Sequence, residues 1–129
     1  MFEISVTGHF RAAHHLRGPQ GAREPPHEHD WRVTATLAGA ELDETGVLVD
    51  FSQIKLRLNT LLRGLKDCNL NEVPAFSRRS SSAENVALHL GEMLAGALPR
   101  GVHLRAVEVE EEPGCVARYL PADGGASTA

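Results

Sequence analysis

Two segments in which leucine recurs at helical spacing lie between two pairs of segments that alternate apolar and polar residues. Alternation with a period of two is typical of strands with one buried face, whereas spacings of three and four are typical of amphipathic helices. The helices are predicted after Ser52 and after Ser81, and the second ends before Pro99. Strands are predicted at four places: residues 2–13, 27–37, 102–111 and 115–120. This ββααββ order predicts an α+β domain, a four-stranded antiparallel sheet with two helices on one face.

Three local patterns refine this prediction. The segment Ser81-Ser82-Ala83-Glu84 fits a capping box at the start of the second helix. In the third strand the apolar parity switches between Ala106 and Val107, which indicates a β-bulge. Pro113-Gly114 then predicts the turn that joins the last two strands.

The length and charge of the chain limit what it can be. Its 129 residues predict a single domain over residues 1–120, followed by a disordered tail at 121–129. A net charge of −4 provides no basic surface for nucleic acid or an anionic membrane, and no apolar run reaches membrane-spanning length. The two cysteines, Cys68 and Cys115, make no disulfide framework and favour a cytoplasmic location.

The segment EPPHEHDW, residues 24–31, is the first candidate for a functional site. Its two prolines hold the chain extended before the second strand begins. In a strand, His27 and His29 point to one face, which here is the apolar face. His14 ends the first strand, and hairpin pairing would bring it beside them. Three neutral imidazoles leave one position open on zinc, as in catalytic sites, although His14 could instead be an ordinary polar residue at a strand end.

Six segments of the chain occur in an order that is typical of one family. They are FRAAHH, HEHDW, GVLVDF, CNLN, SSAEN and VEVEEEPGCVARY. On these segments the chain resembles the 6-pyruvoyl-tetrahydropterin synthase family, which includes the 6-carboxy-tetrahydropterin synthases of bacterial queuosine biosynthesis. The resemblance covers nearly the whole chain except the tail. It implies the tunnelling fold, whose order is also ββααββ, and a ring-shaped homo-oligomer, commonly a hexamer made from two trimers.

The resemblance also implies roles for particular residues. His14, His27 and His29 match the zinc ligands of the family. Glu111 matches the glutamate that holds the pterin ring, a task that suits a carboxylate because its two oxygens can accept hydrogen bonds from two donors. Two alternatives stay open, since Glu111 could be one more exposed acid in an acidic run and Glu84 could be either a capping residue or part of the ligand site.

The chain departs from the family at the positions that transfer protons. The general-base cysteine of the family is replaced by Arg23, and its aspartate-histidine pair is replaced by Lys66 and Asp67. An arginine stays protonated and cannot act as a base. The base is therefore predicted to be Glu24, one residue from the cysteine position, with Asp67 as the second choice. The alternative for Glu24 is a solvated loop acid.

Two functions from different classes follow. The first is a zinc-dependent lyase that acts on 7,8-dihydroneopterin triphosphate or a related pterin. In it, Lys66, Arg78 and Arg79 are candidate contacts for the triphosphate, or else solvated surface charges. The second function is that of a non-catalytic or re-purposed pterin-binding homologue that retains the metal and the ring anchor. The enzyme is favoured because all three ligand histidines are present, whereas binding a pterin would need only the anchor.

Overall fold

The computed structural model of the protein describes residues 1–16 and 25–122. Within these residues the strands are β1 (Phe2–His14), β2 (His27–Gly39), β3 (Val102–Glu112) and β4 (Cys115–Tyr119), and the helices are α1 (Phe51–Arg63) and α2 (Ala83–Ala95). Two short 3₁₀ turns, Leu70–Glu72 and Pro74–Phe76, lie between the helices. The strands form one antiparallel sheet in the order β1-β2-β3-β4. The predicted ββααββ order and antiparallel sheet are thus confirmed.

Two stretches of the sequence prediction fall outside this description. They are residues 17–24 of the predicted Gly/Pro loop and residues 123–129 of the predicted tail. Within the described ranges, neither α1 nor α2 combines the length and the apolar character needed to cross a membrane.

The hydrophobic core lies between the helices and one face of the sheet. Trp31, Val33 and Ala35 alternate along β2 and are fully buried, as the sequence pattern predicts. Leu58 of α1 and Leu90 of α2 belong to the same buried cluster. Burial of a large apolar side chain stabilises a fold by roughly 1.5–3 kcal/mol, so these contacts hold the helices against the sheet.

The second face of the sheet is polar. Hydroxyl groups on this face form hydrogen bonds between β1 and β2. Ser5 Oγ, for example, lies 2.8 Å from Thr36 Oγ1. Further along the same strands, Arg11 Nη2 lies 2.8 Å from Glu28 Oε2, with both side chains more than half exposed. Exposed ion pairs of this kind contribute little to stability. This face is therefore suited to water or to a polar partner rather than to a second apolar layer.

The predicted bulge in β3 is present. The strand pairs with β2 up to Thr36 and Ala106, and the register then shifts so that Arg105 is left without a partner on β2. Ala106 and Val107 are consequently both buried, although they are neighbours in a strand. Alternation resumes after the bulge, so Glu111 shares the core-facing parity of Val107.

The cap of α1 differs from the prediction. The helix begins at Phe51, and its N-cap is Asp50 rather than Ser52. The Asp50 carboxylate accepts hydrogen bonds from the Ser52 hydroxyl at 2.7 Å and from the Ser52 N–H at 2.9 Å, and these bonds lower the pKa of Asp50. Ser52 was the wrong choice because it already lies inside the helix, where its hydroxyl donates to the true cap.

The start of α2 is also shifted by one residue. Ser82 is the N-cap, and its hydroxyl accepts a hydrogen bond from the Asn85 N–H at 3.1 Å. The predicted capping box from Ser81 to Glu84 is therefore wrong in register. Ser81 is fully buried, and its hydroxyl donates to Asn71 Oδ1 instead of capping the helix.

Gly91 lies at a close approach of α2 to β4. A Cβ atom at this position would lie 2.5 Å from Cδ2 of the Tyr119 ring. We expect Gly91→Ala to lower the free energy of unfolding by about 1–3 kcal/mol, because the ring must move away from the helix. Gly96→Ala is the matched control, since a Cβ atom there would meet nothing within 4 Å in the described part of the chain. Urea denaturation would compare the variants, and equal midpoints would contradict the prediction.

Candidate metal centre

Among the residues that the structure describes, four potential metal ligands converge at one end of the sheet. His14 and His27 are register partners at the end of β1 and the start of β2, and His29 lies two residues further on the same face. Glu111 reaches the same place from the end of β3. One ligand atom from each of the four side chains lies within 4.8 Å of the others. The hairpin thus brings the three histidines together, and the bulged strand adds a carboxylate to them.

The imidazole rings are packed edge to face over an apolar floor. The ring centroids are 4.6 Å apart for His14 and His27, 4.6 Å for His27 and His29, and 5.4 Å for His14 and His29. The fully buried Trp31 ring lies 4.8 Å from His14, and its Nε1–H donates to the Ala12 carbonyl at 3.1 Å. The indole therefore keeps water away from one side of the cluster.

Main-chain carbonyls select the tautomer of two of these rings. His14 Nδ1 lies 2.7 Å from the Ser81 carbonyl oxygen, and His27 Nδ1 lies 3.3 Å from the Pro25 carbonyl oxygen. Because a carbonyl oxygen can only accept, each Nδ1 carries the proton and each Nε2 keeps its lone pair. Metal-binding histidines are commonly held in this way, with one nitrogen donating to the protein and the other facing the ion.

The environment of His14 favours the neutral ring that a metal requires. Its side chain is 1% exposed, and burial lowers its pKa below the ordinary value. The imidazoles of His27 and His29 lower this pKa further, whereas Glu111 and the bond to Ser81 oppose the shift. Only neutral imidazole can act as a ligand, so the desolvated ring is in the form that binds metal.

Two observations show that these residues fit a metal ion. The Nε2 atoms of His14 and His29 are buried and make no hydrogen bond within residues 1–16 and 25–122. Glu111 Oε1 nevertheless lies 2.8 Å from His14 Nε2, so in the neutral ring two lone-pair atoms face each other. A cation shared by both atoms would satisfy them, and three nitrogens with one oxygen form a donor set that suits zinc.

Asp67, the second choice for the base, lies on the surface. It is not among the four side chains that converge in the described part of the chain. Its φ of 57° is in the left-handed region, which is uncommon for residues other than glycine. Its N–H donates to the Arg11 carbonyl at 2.7 Å, and the Cys68 carbonyl accepts from the Ala13 N–H at 3.0 Å. This loop therefore pairs with the outer edge of β1.

Two further acids belong to the sequence prediction. Glu24, the first choice for the base, lies outside the described residues, as does Arg23. Glu84 is exposed in the first turn of α2.

A polar cavity of about 610 Å³ adjoins the end of β1. Its walls include His15, which directly follows His14, together with Arg78 and Arg79. Arg79 Nη1 also lies 3.0 Å from Glu92 Oε1 in an exposed ion pair. Two of the three candidate contacts for a triphosphate, Arg78 and Arg79, thus line one cavity, and Arg79 is already engaged by a carboxylate. Lys66 is not among the described residues that line it.

Comparisons with known sequences show which family this chain belongs to. The sequence model of the family described as 6-pyruvoyl tetrahydropterin synthase matches residues 3–122. The 6-carboxy-5,6,7,8-tetrahydropterin synthase of Bacillus subtilis (strain 168) is 33% identical over 121 residues, which are 92% of this chain and 77% of that protein.

Solved structures with the same fold are more distant in sequence. The 6-pyruvoyl tetrahydropterin synthase of Caenorhabditis elegans matches with a TM-score of 0.80 at 23% identity, covering 94% of this chain and 96% of that one. A Plasmodium vivax 6-pyruvoyltetrahydropterin synthase matches with a TM-score of 0.76 at 21% identity, and the match covers 92% of this chain and 96% of that one. In that structure a glutamate, described as a catalytic residue, is replaced by alanine.

Proposed function

Since this chain belongs to the 6-pyruvoyl tetrahydropterin synthase family, we propose that it is a zinc-dependent lyase acting on 7,8-dihydroneopterin triphosphate or a related pterin. The observation that carries the proposal is the convergence of three imidazoles and one carboxylate within 4.8 Å. Two of these imidazoles have buried nitrogens without a hydrogen-bond partner among the described residues, which supports a metal rather than a purely structural role.

The four converging side chains have two different roles in this proposal. His14, His27 and His29 hold the ion, which when bound supplies a Lewis acid that makes a substrate hydroxyl more acidic. Glu111 accepts hydrogen bonds from the N–H and amino groups of the pterin ring. Its side chain is 25% exposed, so a ligand can reach it, but its carboxylate has to turn away from His14 to do so.

A carboxylate is proposed as the base. Glu24 takes up the proton whose removal allows the triphosphate to leave, and Asp67 is the second choice. The glutamate described as a catalytic residue in the Plasmodium vivax protein supports a carboxylate in this role.

The alternative function is pterin binding without turnover. It is favoured by the replacements at three proton-transfer positions, where the chain has Arg23, Lys66 and Asp67. A protein of this kind would keep the metal and the ring anchor and would lack a group that removes protons.

We also propose a cytoplasmic homo-oligomer, a hexamer made of two trimers, that takes part in queuosine biosynthesis. The unpaired thiols of Cys68 and Cys115 suit a reducing compartment. The polar second face of the sheet and the surface position of Asp67 suit a site that is completed by a neighbouring copy.

Incubation of the zinc-loaded protein with 7,8-dihydroneopterin triphosphate, followed by mass spectrometry, tests the proposal. A 6-pyruvoyl product would show loss of triphosphate, and a 6-carboxy product would show loss of two further carbon atoms as acetaldehyde. Binding of the pterin without any product would favour the alternative. A protein that binds neither zinc nor the pterin would reject both functions.

Glu111→Gln tests the ring anchor. We expect the affinity for a pterin to fall about 10- to 100-fold, because hydrogen bonds to a charged acceptor are worth about 1.5–3 kcal/mol. Glu112→Gln is the matched control, since Glu112 is the exposed neighbour in the same acidic run. Fluorescence titration with 7,8-dihydroneopterin would measure both variants. Equal affinities would leave Glu111 as an ordinary acid of that run.

A further inference from the structure

A side-chain amide extends the pairing at the outer edge of β1. Along this edge the loop at 67–68 bonds to the main chain of Arg11 and Ala13. At the next alternate residue, His15, the partner is the side chain of Asn71. Its Oδ1 accepts from the His15 N–H at 3.0 Å, and its Nδ2–H donates to the His15 carbonyl at 3.0 Å. The amide thus takes the place of a strand residue just beyond His14.

The same amide holds the residue that orients His14. The Ser81 hydroxyl donates to Asn71 Oδ1 at 2.9 Å and also lies 3.3 Å from the His15 carbonyl oxygen. The Ser81 carbonyl oxygen, in turn, is the acceptor 2.7 Å from His14 Nδ1. Ser81 is fully buried, so water does not compete for these bonds. One amide therefore holds both the chain that carries His14 and the group that directs its ring.

Asn71 is itself fixed by its neighbours. Its N–H donates to Asn69 Oδ1 at 3.0 Å at the start of the Leu70–Glu72 turn. The hydrogen bonds of Asn71 therefore join three segments that are far apart in sequence: the end of β1, this turn, and the residue before the cap of α2.

We propose that Asn71 is a positioning residue that fixes the ring of His14, through His15 and Ser81, with Nε2 turned into the cluster of His27, His29 and Glu111. The ring orientation is a property of the metal-free chain. Its effect on metal affinity rests on the proposed function. Partners that orient ligand histidines typically change metal affinity about 10- to 100-fold when they are removed.

Asn71→Ala tests the inference with two measurements. In the metal-free protein, long-range ¹H–¹⁵N spectra of ¹⁵N-labelled histidine report which nitrogen of His14 carries the proton. We expect the wild type to show the Nδ1–H form and the variant to show a mixture of both forms. Competition with a chelator then measures zinc affinity, which we expect to fall about 10- to 100-fold.

Two further variants separate positioning from general destabilisation. Asp50→Ala removes the cap of α1 and therefore destabilises the fold away from the cluster, and it should leave the tautomer of His14 and the zinc affinity unchanged. Ser81→Ala keeps the carbonyl and removes the hydroxyl that reaches Asn71, so it decides the question if Asn71→Ala does not fold. Wild-type tautomer and zinc affinity in a folded Asn71→Ala or Ser81→Ala protein would overturn the inference. A shifted tautomer supports it even if the wild type binds no zinc, a result that would reject the proposed function instead.

Discussion

We expect the wild-type chain to bind one zinc ion per chain and a His27→Ala, His29→Ala double variant to bind none. Two of the four converging donors disappear, and the remaining pair, His14 and Glu111, cannot hold a divalent ion against exchange with solvent. The measurement is the zinc content of purified protein after gel filtration and equilibration with a stated zinc concentration. Circular dichroism of the same samples would show that the variant is folded.

A second double variant controls for loss of histidine as such. His9→Ala, His103→Ala removes two imidazoles that lie on β1 and β3 outside the converging group. We expect it to keep the zinc content of the wild type. If both double variants retain the same zinc content, the convergence of His27 and His29 does not form a metal site.

The second large effect is expected for Glu24→Gln, which should reduce turnover of the pterin about 10²- to 10⁴-fold. The substitution keeps the shape of the side chain and removes the group that accepts a proton, and loss of a general base typically has this magnitude. Zinc content and pterin affinity should stay close to those of the wild type. Steady-state kinetics and fluorescence titration on the same preparations would separate the two effects.

Glu28→Gln is the matched control for this variant. Glu28 stands between His27 and His29 in β2, but its side chain points to the opposite face, where Arg11 Nη2 lies 2.8 Å from its Oε2. We expect it to retain turnover. Full activity of Glu24→Gln would reject Glu24 as the base. Asp67→Asn would then be the next variant, because asparagine tolerates the left-handed φ of 57° while losing the carboxylate.

The fold was predictable because its main determinants are local in sequence. The parity switch at Ala106 and Val107 predicts the bulge, and the alternation of apolar and polar residues along β2 predicts which face is buried. The helix caps were less predictable because the chain offers several suitable residues within a short distance. Asp50 and Ser52 are both good N-caps by residue type, and the choice depends on where the chain leaves its extended conformation.

Only part of the candidate site could be predicted. The shared face of His27 and His29 follows from the period of a strand, and hairpin pairing brings His14 beside them. The contact of Glu111 with His14 depends on the sheet register after the bulge, which single-sequence patterns do not define. Ser81 orients His14 through its main-chain carbonyl oxygen. Because every residue has such a carbonyl, the residue type gives no sign of this role. Asn71 stands 56 positions from His15, and its pairing with that residue depends on tertiary structure.

His14, His27 and His29 belong to one hairpin, so they are near neighbours along the chain as well as in space. Bringing them together requires closure of one short loop, and the entropy lost in loop closure increases with loop length. Glu111 joins only when β3 has paired with β2. An unfolded chain therefore retains ready access to three of the four donors, and we expect it to compete with the folded protein for added zinc. Binding by the unfolded chain reduces the stabilisation that a ligand confers. Added zinc should therefore raise the free energy of unfolding by less than its affinity for the folded site alone would give.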